Sequence, residues 1–297
     1  MPALTAFADR QALTFLAASY GFSWAVALAA FLTGGLSTPV RQSGWGFAFM
    51  LGPALAALVV SRGVPWRERA ASFGLSLRVD RWLFAAWAAP LLLVLLATLL
   101  SGLSTAATLV SPAEGLTREL SRLGAGAAQL AELERLSPVW LSLGLVFQAA
   151  VVGALLNTPL MLSEELGWRG LLWARWSRLG FWPNALATGV VWGLWHAPLI
   201  AMGHNYPDAP VLGIGLMVGF CVLLTPALHL VRERGTLLHA CLFHGTLNAS
   251  ASLARLCLET EQWPSRGIVG VAGLGLLLIS AFVVVLARRW SSATQRA

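Results

Sequence analysis

The sequence contains no lysine: all 20 basic residues are arginine, and charged residues of either sign make up only 11% of 297 positions. A soluble domain carries about a quarter, so an ordinary water-facing surface is not available to this chain. The arginines are also scattered. With no basic tail or stripe, the formal charge of +7 does not describe a nucleic-acid partner. Cysteine is scarce as well: Cys221, Cys241 and Cys257 lie in or beside apolar runs, with no CxxC spacing and no matching histidine cluster. They read as reduced packing residues rather than disulfides or thiolate metal ligands. No internal repeat or low-complexity tract stands out.

What is present is apolar, at 57% of the chain. Long hydrophobic segments fall at about 12–34, 45–61, 82–110, 139–163, 184–202, 210–231, 236–256 and 267–287, each near the roughly 20 residues that a helix needs to cross the hydrocarbon core. The expected fold class is all-α: a polytopic transmembrane helix bundle of about eight spans, one integral domain over 1–297, with the lipid bilayer as its surroundings. The first segment is expected to be retained, because no basic leader precedes it. In the loop at 111–137, Leu116, Leu120, Leu123, Leu130, Leu133 and Leu136 recur at helical steps among charges, which suits an amphipathic helix on the membrane surface or a connecting helix on the protein's rim.

If eight spans are right, loops alternate between two sides. One side then collects 14 arginines, among them Arg62, Arg67, Arg69, Arg78, Arg81, Arg175, Arg178, Arg232 and Arg234, and the other collects 6. The richer side is expected to be cytoplasmic, and both termini with it.

Three clusters of polar residues need explaining inside the spans, where charge is costly and tends to be functional. The first is Glu164-Glu165-Leu-Gly-Trp-Arg169. On a helix Glu165 and Arg169 share a face, and Glu164 points about 100° away, so the expected ion pair is Glu165 with Arg169, leaving Glu164 as an unpaired carboxylate. The second is Trp192-Gly-Leu-Trp-His196 and the third His244-Gly-Thr-Leu-Asn248, each an i, i+4 pair able to address one site. At 1.5 Å per residue, Glu164 lies roughly 16–21 Å from the arginine-rich face, His196 about 20 Å and His244 about 15 Å. The three can be level. Trp173, Trp176 and Trp182 suit an interfacial belt around the turn between two spans. Pro159 is placed to open the helix beside Glu164. His204, His229 and His239 fall outside the clusters and are assigned no chemistry.

Glu164-Glu165-x-x-x-Arg169, Trp192-x-x-x-His196 and His244-x-x-x-Asn248 resemble, in order, the EExxxR, FxxxH and HxxxN or HxxxD motifs of the CPBP intramembrane proteases, which include the type II CAAX prenyl endopeptidases and bacteriocin-processing relatives. The departure is Trp192 where the family usually has Phe, an exchange expected to alter pocket shape more than chemistry. The resemblance covers residues 164 to 248 and implies an intramembrane endopeptidase acting on a membrane-associated or prenylated (CAAX-type) protein or peptide; the expected location is a bacterial inner membrane. It implies that Glu164 activates water, that His196 holds that water and passes on the proton, and that His244 and Asn248 stabilise the oxyanion. Glu165, Arg169 and Trp192 would support them.

No cofactor is expected, although Glu164, His196 and His244 also form a zinc ligand set with a vacant fourth position. A proton-coupled transporter would keep similar residues inside its spans, and a non-catalytic membrane scaffold is the other alternative.

Overall fold

Every apolar segment folds as helix. The computed structural model describes residues 7, 9–104, 107–259 and 267–294, so Arg266 and Arg296 of the arginine count lie outside the described residues. The long elements are α1 (Arg10–Leu32), α2 (Pro39–Val60), a short α3 (Trp66–Phe73), α4 (Arg81–Gly102), α5 (Pro112–Arg122), α6 (Ala127–Glu134), α7 (Pro138–Arg175), α8 (Phe181–Trp195), α9 (Ala197–Ala201), α10 (Pro210–Arg234), α11 (Leu237–Leu256) and α12 (Val271–Thr294). One isolated bridge, Leu109 to Leu258, is the extended pairing among the described residues.

Six helices are long and apolar enough to cross a bilayer: α1, α2, α4, α7, α10 and α12. The expectation was about eight, and the two that fall short are α8 and α11. The first ends after 15 residues at Trp195. The second is a full 20 residues, but His239, His244, Asn248 and three serines or threonines dilute its apolar character. These are the two helices that bear the WxxxH and HxxxN clusters: α8 falls short by length, and α11 by the polar side chains it places inside the bundle.

Helix starts follow local capping. Asp80 Oδ1 accepts the backbone N–H groups of Trp82 and Leu83 at 2.8 and 3.1 Å to begin α4, and Ser111 forms a capping box with Glu114 at α5, each satisfying donors that a helix start leaves unpaired. At α11 the cap is a side chain from within: His239 Nδ1 accepts Thr236 N–H at 3.2 Å, which leaves Nε2–H to donate to Asp80 Oδ1 at 3.2 Å. His239 therefore ties the start of α11 to that of α4.

The 111–137 loop is two short helices rather than one. α5 docks on the protein: Ala113 and Gly115 are buried, and Arg118 donates to the carbonyls of Leu256 and Leu258 at 3.3 and 2.8 Å, closing the C-terminal end of α11. α6 buries nothing and sits on the rim.

Close helix packing is bought with missing side chains. A Cβ on Gly189 or Gly193 of α8 would lie 2.6 or 2.5 Å from the Cα of Val222 or Val218 on α10. This small-xxx-small stripe lets the two backbones touch. It brackets Trp192, which lies between the two glycines, and ends three residues before His196.

Candidate active site

The fourth apolar segment, α7, runs 38 residues, well beyond what one straight crossing needs, and it is not straight. Its α-helical turns are interrupted by π-helical ones at Gln148–Gly153 and Leu166–Leu172, and regular helix stops at Leu160, immediately after Pro159, and restarts at Leu162. Proline removes a backbone donor and crowds the preceding turn, and π turns recur at functional sites because they re-aim side chains. Glu164 and Glu165 occupy the four-residue helix between these two breaks.

Glu165 and Arg169 pair across the second break, with Nη1 3.0 Å from Oε1 and both side chains fully buried. Arg169 is held on two more sides: Nη2 donates to Thr225 Oγ1 on α10 at 3.2 Å, and the guanidinium lies 4.2 Å from the centre of the Trp192 ring. The oxygen of Glu165 that takes Arg169 also accepts His244 Nδ1–H at 2.9 Å. One carboxylate thus orients an arginine on its own helix and a histidine on α11. Gly245 makes that approach possible, since a Cβ there would come within 2.9 Å of the Thr158 backbone nitrogen, and its carbonyl accepts Asn157 Nδ2 at 3.3 Å.

Glu164 is not the free carboxylate that helix geometry alone suggested. It is 3% exposed, and its Oε2 accepts the indole N–H of Trp192 at 2.9 Å. Trp192 therefore does more than shape the pocket. Its carbonyl also accepts His196 Nδ1–H at 2.9 Å, and its ring meets that of His244 edge-on at 5.3 Å. Four candidate residues, Glu164, Arg169, His196 and His244, touch this one tryptophan. Among the described residues Glu164 and His196 share no direct hydrogen bond.

Asn248 stands one turn beyond His244, half-buried, with Nδ2 3.5 Å from Met161 Sδ. Sulfur is a weak acceptor, so this amide is the least committed donor of the group. In both histidines Nδ1 is spent, on Trp192 O and on Glu165, which fixes the tautomer of the neutral rings and leaves each Nε2 for other work.

Helices from the first half of the chain close the site, a contribution with no motif to announce it. The Tyr20 hydroxyl donates to Val191 O, and Trp24 Nε1 donates to Trp195 O at 3.1 Å. α1 so grips the broken end of α8. Phe15, Trp168, Trp195 and Phe49 stack in sequence at 5.4, 5.7 and 4.4 Å. Thr225 was legible, in retrospect, as a lone polar residue in an apolar run. The interfacial belt is only partly present: Trp176 is 3% exposed and packs on Phe7, because the turn after α7 folds inward.

A zinc site would need Glu164, His196 and His244 to converge as ligands. Among the described residues no three of His, Cys, Asp and Glu are so arranged, and one Glu164 oxygen is committed to Trp192. The side chains as they stand do not fit a preformed metal site. Cys221 and Cys241 are buried free thiols and Cys257 is a partly buried one.

Residues 135–250 match the model of the family described as type II CAAX prenyl endopeptidase Rce1-like. The chain is also 24% identical over 138 residues to CAAX prenyl protease 2 of Methanococcus maripaludis, a stretch that covers 41% of this chain and 45% of that protein. The match thus spans less than half the length of the relative.

Proposed function

We propose that this chain, whose matches support the CPBP intramembrane protease family, is an endopeptidase that hydrolyses a peptide bond of a membrane-associated protein or peptide. Prenylated CAAX-type tails are the substrate class suggested by the names of the family and the relative. The observation that carries the reading is the gathering of Glu164, His196 and His244 around Trp192, with Asn248 one turn away, from three separate helices.

In the proposed reaction Glu164 takes one proton from a water whose oxygen bonds to the scissile carbonyl carbon. The carbonyl oxygen becomes an oxyanion, and Asn248 Nδ2–H and His244 Nε2, the latter in its imidazolium form, donate to it. When the carbon–nitrogen bond breaks, the amine leaves with the proton first taken by Glu164, relayed through His196 Nε2. Glu165 and Arg169 hold His244 and Trp192 in register. No step passes through a metal or another cofactor.

The test uses the purified full-length protein in detergent and an internally quenched farnesylated CAAX peptide. Glu164→Ala, His196→Ala and His244→Ala should each lower cleavage by at least about a hundredfold while the proteins remain folded, and a strong chelator should leave the wild-type rate unchanged. Cleavage retained in Glu164→Ala sinks the glutamate mechanism, and loss of activity to the chelator restores the zinc alternative.

A further inference from the structure

Trp192 stands where the family's motif usually has Phe, and a phenyl ring has nothing to donate. The indole N–H is the one polar atom that this side chain adds, and it is placed 2.9 Å from Glu164 Oε2 in a site where Trp192 is 2% and Glu164 3% exposed. Away from water, a hydrogen bond to a carboxylate is worth more than one at a surface, and an unmade one costs more. The ring itself cannot turn away to release it. Its face is covered by the Arg169 guanidinium at 4.2 Å, its edge abuts His244 at 5.3 Å, and its backbone is held by the His196 ring through the Trp192 carbonyl. Arg169 is anchored in turn by Glu165 and Thr225.

We infer that Trp192 is a positioning residue for Glu164: its indole N–H fixes one carboxylate oxygen and so turns the other, Oε1, toward the attacking water. The inference rests on the peptidase reading. It assigns a chemical role to a position where a phenylalanine could supply only bulk. It also makes Trp192 the part that links the two halves of the site, because the same side chain contacts Arg169, which is paired with Glu165, on one side and Glu164 on another. His196, oriented by the same residue's carbonyl, shares its fate only if the backbone moves, so a side-chain change that keeps the helix leaves His196 in place.

Trp192→Phe is the decisive variant, since it keeps an aromatic face for Arg169 and deletes the donor. Three measurements on the full-length protein separate the possibilities. In the first, the indole N–H resonance lost in W192F is followed in ¹⁵N-tryptophan-labelled protein. It should lie downfield in the wild type and move upfield in Glu164→Gln; a resonance indifferent to Glu164→Gln overturns the hydrogen bond without reference to activity. In the second, cleavage of the quenched farnesylated peptide should show kcat reduced about tenfold or more in W192F with KM within about twofold of wild type. In the third, the acidic limb of the kcat–pH profile should move to higher pH in W192F, because the ionised carboxylate has lost a donor. A W192F enzyme with unchanged kcat and unchanged limb overturns the positioning role while Glu164→Ala, still inactive, leaves the peptidase reading intact; an active Glu164→Ala defeats that reading instead. Melting temperatures of W192F and wild type, expected to agree within a few degrees, show that the kinetic change is not unfolding.

Discussion

Glu164 and Glu165 are neighbours in sequence, yet they are bound to different helices, one to Trp192 on α8 and the other to His244 on α11. Adjacent positions on a helix point about 100° apart, and that angle distributes the two carboxylates between two partners. The Glu165–Arg169 pair was legible from spacing alone; the Trp192 bond was not, because no sequence rule says which residue 28 positions away will face a carboxylate. A second residue-scale consequence concerns His204, in the loop between α9 and α10. Burial, with a further contribution from the positive charge of Arg255, pushes its pKa down from 6.5 to about 4, and Gln42 Nε2 donates to its unprotonated Nδ1 at 3.1 Å. Above 6.5 neither the folded nor the unfolded chain protonates this ring. As pH falls from 6.5 toward 4 the unfolded chain binds a proton that the folded one refuses, so stability falls across that window. The wild type should therefore lose more thermal stability between pH 7 and pH 4.5 than His204→Gln does, by differential scanning fluorimetry in detergent; equal losses would remove His204 as the cause.

At the scale of elements, α7 is broken on either side of its two glutamates, and α8 is close-packed on α10 on either side of Trp192. Pro159 was expected to open α7, and regular helix does stop at Leu160. The π turns after Glu165 were not foreseeable from spacing; within them Gly167 packs against Pro53 and Phe15, where a Cβ would come within 2.8 Å. The α8–α10 contact gives the sharpest prediction. Gly193→Val would drive a branched side chain into the Val218 backbone, costing about 1–3 kcal/mol of overpacking and shifting the turn that presents His196. The expected outcome is a lower melting temperature together with lost cleavage, whereas Gly219→Val, at a glycine of α10 with open space around it, should change neither.

The whole molecule is arranged inside out relative to a water-soluble one. Leu28, Leu92, Leu155, Leu156, Ile279 and Phe282 are each at least half exposed, while Glu164, Glu165 and Arg169 are buried at 3% or less. In lipid the outer leucines are at home, and the buried charges persist because each is paired or hydrogen-bonded. Removing one partner without the other is correspondingly severe. Arg169→Met should destabilise the protein by about 3–5 kcal/mol by leaving Glu165 unmatched, seen as a large drop in the temperature at which the detergent-solubilised protein aggregates; a drop no larger than that of Arg135→Met, on the rim, would contradict it. Sidedness is also a property of the whole chain. With α8–α9 and α11 counted as crossings beside the six long helices, the excess of arginine in the loops at 61–81, 175–180 and 232–236, the first and last joined by Arg78 and the Arg234 carbonyl, leads us to propose that these loops and both termini face the cytoplasm. A cysteine placed at Arg178 should then resist a membrane-impermeant thiol reagent in intact cells and one placed at Arg122 should react; the reverse pattern inverts the topology.

The sequence by itself determined that the chain is helical and apolar enough for a bilayer, where its polar clusters lie, and which residues one helical turn apart can act together. Those are consequences of composition and of the 3.6-residue period, both local. Only the tertiary structure decided that Trp192 donates to Glu164, that His244 is turned by Glu165 rather than left free, and that Tyr20 and Trp24 of α1 secure the end of α8. Each of these joins residues 28 to 171 positions apart. The physical reason is that inside a membrane a polar group must find its partner within the protein, and which partner it finds is set by helix packing, down to the absence of a Cβ at Gly193 and Gly245.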